Sequence, residues 1–327
     1  MATMFYESDA NLDALSELPI ALIGYGNQGR AHALNLRESG LQVWVGSREN
    51  SNARDSAKAD GFANHSIPEA VQNCSVLAIM LPDEVIPDVY TQSIEPYLSA
   101  RTVFVFAHGF TVRHKTIRLP DDADILLVAP TGPGRQLRSL YEAGKGLPGL
   151  VAVEQDASGL GWQRCLAYAH AIGCTRAGAI KTTFEEETVT DLYCEQAVLC
   201  GGMPELIKAS FDTLVERGYQ KELAYISCLK EVKLIADLLF TSGIDGMRSA
   251  ISNTAKYGSA IAGPQLVNEA TRNDLSNLLT HIESGEFSKK FLADTKAGSP
   301  AVRDLMTQER HSRLARTGNE LREILEF

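Results

Sequence analysis

Apolar residues come in short runs through the first half of the chain and in long helical stripes through the second. The runs Ile20–Ile23, Val43–Val45, Val76–Leu81, Val103–Ala107, Ile125–Ala129 and Leu150–Val153 read as strands. Most are separated by helix-length segments rich in Ala, Glu, Asp and Lys. That alternation predicts an α/β domain, a mostly parallel sheet with helices on both faces. After about Lys181 the strand-like runs stop. Thr190–Leu199, Met203–Arg217, Lys221–Phe240, Asp245–Tyr257 and Ala301–Leu325 carry apolar residues at helical spacing instead. The expected boundary therefore divides residues 1–181 from an all-α domain over 182–327.

The first strand leads into Gly24-Tyr25-Gly26-Asn27-Gln28-Gly29, followed by a helix-like segment from Ala31 to Ser39. Three glycines at this spacing between strand and helix fit a dinucleotide site, which makes the N-terminal domain Rossmann-type. Gly24 permits the tight turn, Gly26 lets the backbone approach a pyrophosphate, and Gly29 lets helix and strand pack closely. Unpaired N–H groups at the helix start favour the phosphate charge. Away from a strand and a helix, the same spacing is an ordinary glycine turn.

Beyond the second strand, an NAD site usually places a carboxylate on the ribose hydroxyl. Here Gly46-Ser47-Arg48 follows, with Ser51, Asn52 and Arg54 close behind. A guanidinium beside a hydroxyl suits a 2′-phosphate, which a carboxylate repels. NADPH is the expected cofactor, and a solvated basic loop containing Glu49 and Asp55 is the alternative.

At 327 residues, 44% hydrophobic and 22% charged, the chain has room for two domains and a large core. A net charge of −10 argues against general nucleic-acid binding. No apolar stretch approaches the length of a membrane span, and the acidic segment from Met1 to Glu17 lacks a basic signal-type region. Cytoplasmic location without nucleic-acid or membrane partners is expected. Cys74, Cys165, Cys174, Cys194, Cys200 and Cys228 show no C-x-x-C spacing, so buried thiols are expected, with neither disulfides nor zinc.

Asp191 and Glu195 stand four apart on one predicted helix, so their carboxylates share a face. Thr182 to Thr188, with Glu185, Glu186 and Glu187, lies just before them. Glu231 sits in the apolar stretch of another helix. Oxygen donors on separate helices suit Mg²⁺. Spacing alone favours a solvated acidic face, whereas the small and apolar residues from Gln196 to Gly202 argue that this helix is buried.

Leu81–Val85 (L-P-D-E-V), Phe106–Phe110 (F-A-H-G-F), Val128–Gly134, Thr182–Leu192, Glu195–Gly202 (E-Q-A-V-L-C-G-G) and Ile251–Ala255 (I-S-N-T-A) follow the glycine motif in order. Together they resemble ketol-acid reductoisomerase of the short, class I form, from about Leu18 to Leu325. The resemblance implies an NADPH- and Mg²⁺-dependent enzyme that migrates an alkyl group in a 2-acetohydroxy acid and then reduces the new 2-keto group. It also implies a knotted helical domain and a homodimer or larger homo-oligomer. It assigns Tyr25, Asn27, Gln28, Arg48, Ser51, Asp83, Glu84, Val85, Ile86 and Gly134 to the cofactor. His108, Glu195 and Glu231 become catalytic, Asp191, Glu195 and Glu231 metal ligands, and Ser252 a holder of the substrate carboxylate.

Departures from the family pattern fall at the chemistry. Thr131 stands where the family has lysine, Arg135 where it has histidine, and Ser227 where it has a fourth metal carboxylate. Lys230 adds a charge beside Glu231. With Ser252, these altered positions Thr131, Arg135 and Ser227 are expected to meet substrate, a small keto or hydroxy acid. One Mg²⁺ site is expected and a second is doubtful. The expected activity is NADPH-dependent reduction of a carbonyl or imine of a small acid, with weak or absent alkyl migration. A working reductoisomerase converting 2-acetolactate to 2,3-dihydroxyisovalerate and a non-catalytic NADPH-binding protein are the alternatives.

Overall fold

The computed structural model describes residues 2–324. The chain divides after Thr188 into two compact units. In the first, the described residues place nine strands in one sheet: β1 (Met4–Phe5), β2 (Ile20–Ile23), β3 (Val43–Gly46), β4 (Asn64–His65), β5 (Val76–Ile79), β6 (Val103–Phe106), β7 (Asp124–Pro130), β8 (Gly149–Asp156) and β9 (Ala179–Lys181). Their order is β1-β9-β8-β7-β6-β5-β2-β3-β4. β2, β5 and β6 are buried at every residue, as continuous apolar runs covered on both faces must be. Alternate side chains serve the two layers. Ile20, Leu22, Val76 and Val105 pack under the helices Asn27–Glu38 and Gly161–Ala171, while Ala21, Ile23, Leu77 and Phe104 pack under the helix Ile67–Asn73. The chain runs outward from β2 to β3 and β4, then returns to β5 on the other side of β2. This reversal opens a crevice at the carboxyl ends of β2 and β5, where doubly wound sheets bind ligands.

The mostly parallel sheet agrees with the hydrophobic pattern, with two refinements. β8 runs antiparallel to β7, and β1 antiparallel to β9. The two- and three-residue strands β1, β4 and β9 are too short to carry a pattern.

The second unit is helical. Helices Phe184–Cys194 (which begins in the first unit), Gly202–Glu216, Lys221–Tyr225, Glu231–Ala250, Asn253–Leu266, Glu269–Glu283, Glu286–Lys296, Pro300–His311 and Arg313–Ile324 follow in order. Several sequence expectations need correction. The Thr190 helix begins earlier, at Phe184, with Glu185, Glu186 and Glu187 in its first turn, where carboxylates complement the helix dipole. The segment Lys221–Phe240 is interrupted by a wide π-turn at Ile226–Lys230 and continues to Ala250 with a break in helical geometry at Gly243. The predicted helix Asp245–Tyr257 does not exist as one element. Ile251 is extended, and the Ser252 hydroxyl accepts the Ala255 N–H to cap a new helix. Ala301–Leu325 breaks at Ser312, whose hydroxyl accepts the Ala315 N–H, and Leu325 lies outside the described residues. The helices Glu269–Glu283 and Glu286–Lys296 were not anticipated. Of the cysteines, Cys74, Cys165 and Cys174 are buried, but Cys194 and Cys200 are exposed and Cys228 is intermediate. Among the described residues no helix is long and apolar enough to cross a membrane.

One core contact gives the first unit a pH dependence. His32 is fully buried on the Asn27 helix, with Nδ1 3.1 Å from the Tyr168 hydroxyl and Nε2 without a partner. Burial pushes its pKa down from 6.5 to about 3. The unfolded chain therefore binds this proton first, so the stability is whole above pH 6.5 and drains away as pH falls towards 3. The slope is about 1.4 kcal/mol per pH unit between those values. His32→Leu is expected to flatten the loss of melting temperature between pH 6.5 and 5; an unchanged slope would refute this origin.

Candidate active site

β2 delivers Gly24 at φ +99°, where a Cβ would lie 2.6 Å from the Met80 carbonyl oxygen, so only glycine makes this turn without strain. Gly26 is extended, and a Cβ built on it would meet nothing within 4 Å. The space a pyrophosphate needs is thus open directly over the helix start at Asn27. Gly29 lies against the Gly24 carbonyl and closes helix onto strand. Gln28 Nε2 donates to the Gly132 carbonyl at 2.9 Å. A Cβ on Gly134 would collide with the Asn27 carbonyl, so the start of the helix Gly134–Glu142 packs on the glycine loop itself.

Tyr25 is buried, and its hydroxyl donates to Asp60 at 2.8 Å. Arg30 forks onto the same carboxylate at 2.6 and 2.9 Å. Burial first, then the Asp60 carboxylate, raises the Tyr25 pKa, keeping the phenol a donor. The Arg30 hydrogen bond holds the Asp60 carboxyl below the usual carboxylate range. This triangle ties the glycine loop to the end of the helix Asn52–Ala59.

At the end of β3, Arg48 is exposed and has no carboxylate partner among the described residues. The Ser51 hydroxyl donates to the Arg48 carbonyl at 2.8 Å and accepts the Arg54 N–H at 3.3 Å. Its single proton is committed, so Ser51 shapes the loop and Arg48 offers the charge. Past β5, Val85 and Ile86 donate their N–H groups to the Pro82 carbonyl, which folds Asp83, Glu84 and Val85 into a half-buried turn over buried Ile86.

His108 follows β6. Its Nδ1 lies 3.0 Å from Glu187 Oε1, and its Nε2 lies 3.9 Å from Asp83 Oδ2. Glu187 is 3% exposed and accepts the Gly109 N–H at 2.7 Å through its other oxygen. A carboxylate only accepts, so Nδ1 carries a proton directed at Glu187, and Nε2 lies on the Asp83 side of the ring. Gly109 cannot hold a side chain: a Cβ would lie 2.6 Å from the Phe184 carbonyl and 2.8 Å from Glu187 Oε2. In the sequence Glu187 is one of three consecutive acids. Its signal was helical phase, because Phe184, Glu187, Thr188 and Asp191 share one face at i, i+3, i+4 and i+7. Asp60 had no such signal.

Thr131 is exposed, and its hydroxyl donates to the Pro148 carbonyl at 2.9 Å. Arg135 lies beside Gly26 and Asn27 in a cleft of about 660 Å³. In the second unit, Asp191 and Glu195 are exposed on one continuous helical path, but the π-turn Glu195–Leu199 begins at Glu195. Both are exposed in the single chain, where the Gln196–Gly202 segment led to an expectation of burial. Ser227 is exposed in the wide turn before Glu231, and Ser252 is exposed at its cap position. Among the described residues, Asp191, Glu195 and Glu231 do not gather into one ligand cluster within a single chain.

Two family models match the chain: the NADPH-binding domain of acetohydroxy acid isomeroreductase over residues 14–178, and the C-terminal domain of ketol-acid reductoisomerase over 184–327. A solved NADH-preferring ketol-acid reductoisomerase from an uncultured archean is 38% identical, with TM-score 0.96 over 99% of this chain and 100% of that one. A semialdehyde dehydrogenase NAD-binding protein from Cupriavidus necator, in complex with calcium and NAD, matches at TM-score 0.62 and 18% identity over 82% of this chain and 99% of that one. A pyrroline-5-carboxylate reductase from Coxiella burnetii matches at 0.54 and 16% over 84% and 98%. The last two share the fold alone.

Proposed function

Since the chain belongs to the ketol-acid reductoisomerase family of NAD(P)H-binding oxidoreductases, we propose that it reduces the carbonyl or imine of a small keto or hydroxy acid, with alkyl migration weak or absent. The observation that carries this reading is the pairing of half-buried His108 with buried Glu187, intact in a chain whose migration groups are replaced. The bound nicotinamide supplies a hydride to the substrate carbon. His108, held through its Nδ1–H on Glu187, would act as the imidazolium and give its Nε2 proton to the alkoxide oxygen that hydride transfer leaves, returning to the neutral ring and regaining the proton from solvent. Asp191 and Glu195 fit one Mg²⁺ by donor type, as exposed anionic oxygens on one helical path, and Glu231 is the family's further ligand. An ion held by these carboxylates would supply Lewis acidity to the substrate carbonyl. Ser227 brings a neutral hydroxyl where the family's second ion has a carboxylate, and Thr131, its hydroxyl tied to Pro148, offers no cation. Ser252 is the proposed holder of the substrate carboxylate. Oxidation of NADPH on addition of 3-hydroxy-3-methyl-2-ketobutyrate and other 2-keto acids or imines tests the reading. No oxidation of either nicotinamide across that set sinks it. A full reductoisomerase is the second reading, favoured by the match of both family domains.

NADPH is the proposed cofactor, although the archaeal relative is NADH-preferring. The support is the exposed Arg48 guanidinium, which has no carboxylate partner among the described residues, at the position past β3 where an NAD site usually has an acid. A charge-assisted bond is worth about 1.5–3 kcal/mol, so Arg48→Asp is expected to weaken NADPH at least tenfold and to spare NADH. Equal affinity of the unaltered protein for both cofactors contradicts this assignment.

A homodimer is proposed as the working unit. The second unit has a small buried core, Phe211, Ala224, Tyr225 and Leu321, while its helices leave Leu234, Phe240, Ile244, Tyr257 and Leu266 exposed. Phe240 is 90% exposed. Large apolar side chains exposed in this number suit an association surface, and a second copy is the occupant the family supports. Phe240→Glu is expected to shift the mass measured by light scattering from dimer to monomer; an unaltered monomer would contradict the proposal.

A further inference from the structure

The helix Gly134–Glu142 lies along the helix Asn27–Glu38, and the groove between them opens at the glycine loop into the cleft of about 660 Å³. Four guanidiniums line it, those of Arg30, Arg37, Arg135 and Arg138, against three carboxylates, Glu38, Asp60 and Glu142. Three of the four are occupied. Arg30 is forked on Asp60, and Arg138 bridges Glu38 and Glu142 at 2.9 Å each. Arg37 donates to the Asp60 carbonyl and lies 4.3 Å over the Phe62 ring. Arg135 is exposed and has no carboxylate partner among the described residues. The excess positive charge of the cleft therefore resides on Arg135, beside Gly26 and Asn27.

We infer that Arg135 is a ligand of the cofactor's pyrophosphate, contributed by a second helix, and not a substrate residue as its position in the sequence suggested. The inference rests on the family's dinucleotide binding. Three features support it. The open face of Gly26 leaves room for an anion against the loop. Gly134 holds the Arg135 backbone hard against Asn27 because its missing Cβ admits the Asn27 carbonyl. An Arg at this point presents two parallel N–H donors to phosphate oxygens, which the histidine of the family pattern cannot do. The other three guanidiniums shape the cleft, because their carboxylates already neutralise or fix them.

The pyrophosphate is common to NADPH and NADH, and that separates this role from the others. Dissociation constants for NADPH, NADH and ADP-ribose are measured by calorimetry on the full-length protein and on Arg135→Gln, with Arg135→Lys as the variant that keeps the charge. Arg135→Gln is expected to weaken all three ligands by the same factor, roughly tenfold or more, and to flatten the dependence of affinity on salt. Arg135→Lys is expected to recover part of the loss. Loss confined to NADPH would overturn the inference, because Arg135 would then be reading the 2′-phosphate. Unchanged cofactor affinity with a raised KM for the acid substrate would overturn it in favour of the substrate role. If the unaltered protein bound none of the three ligands, the dinucleotide reading itself would fail, a result distinct from an indifferent Arg135. Arg135 is exposed, so thermal melting is expected to be unchanged in both variants.

Discussion

Glu187→Gln is expected to slow reduction by about a hundredfold or more while leaving cofactor affinity and the melting transition close to unaltered. Glutamine has nearly the shape of glutamate, so the effect comes from hydrogen-bond direction. The buried Gly109 N–H requires an acceptor and takes the amide oxygen. The amide NH₂ then faces His108 Nδ1, where the carboxylate now accepts at 3.0 Å. Two donors cannot face each other, so Nδ1 must stay unprotonated, and the ring can no longer become the imidazolium that Glu187 supports and that the alkoxide needs as its proton donor. General acid–base catalysis contributes about 10²–10⁴-fold, which sets the scale of the loss. Gly109→Ala should act in the same direction, because its Cβ displaces Glu187 from 2.8 Å. Single-turnover hydride transfer at saturating cofactor is the readout. A Glu187→Gln variant with undiminished transfer would remove the His108 pair from the mechanism.

The second large effect is a gain. Thr131→Lys combined with Ser227→Glu is expected to raise turnover of 2-acetolactate by about 10²–10³ for each group that acts. Migration deprotonates a tertiary alcohol and polarises the adjacent ketone, so charge develops on two oxygens together. A lysine ammonium and a second anionic metal ligand address those charges. Both positions are exposed in the single chain, so longer side chains enter without overpacking. Thr131→Lys gives up one hydroxyl bond to Pro148, at a cost of about 1 kcal/mol. Stopped-assay product analysis for 2,3-dihydroxyisovalerate measures the gain. A double variant no faster than the unaltered chain would show that neither replacement limits migration.

Features encoded within a few residues were legible, and those made by distant residues were not. The glycine motif names its turn, its open face and its helix start within six residues, and the structure realises all three. Strands buried on both faces announce themselves as Ile20–Ile23 or Val103–Phe106. Strand direction carries no such mark, so antiparallel β8 looked like any other apolar run. The wide turns at Glu195 and Ile226 keep helical composition and change only hydrogen-bond spacing, which hydrophobic phase does not register. The breaks at Ser252 and Ser312 were readable, since both serines cap the helix that follows. Glu187 contacts His108 across 79 residues, and Tyr25 contacts Asp60 across 35. Contacts of that range come from the crossovers of the sheet, which bring the β6 and β2 ends to their partners after the chain has folded. Arg135 shows the same limit: its substitution was visible, but its neighbours Gly26 and Asn27 belong to the other end of the domain.

The most direct test compares two substrates under one set of conditions, with Mg²⁺ and NADPH. 2-Acetolactate requires migration before reduction; 3-hydroxy-3-methyl-2-ketobutyrate requires reduction only. Efficient NADPH oxidation with the second and a kcat/KM at least a hundredfold lower with the first is the expected result. Comparable, efficient turnover of both would contradict the account and make the chain an ordinary ketol-acid reductoisomerase.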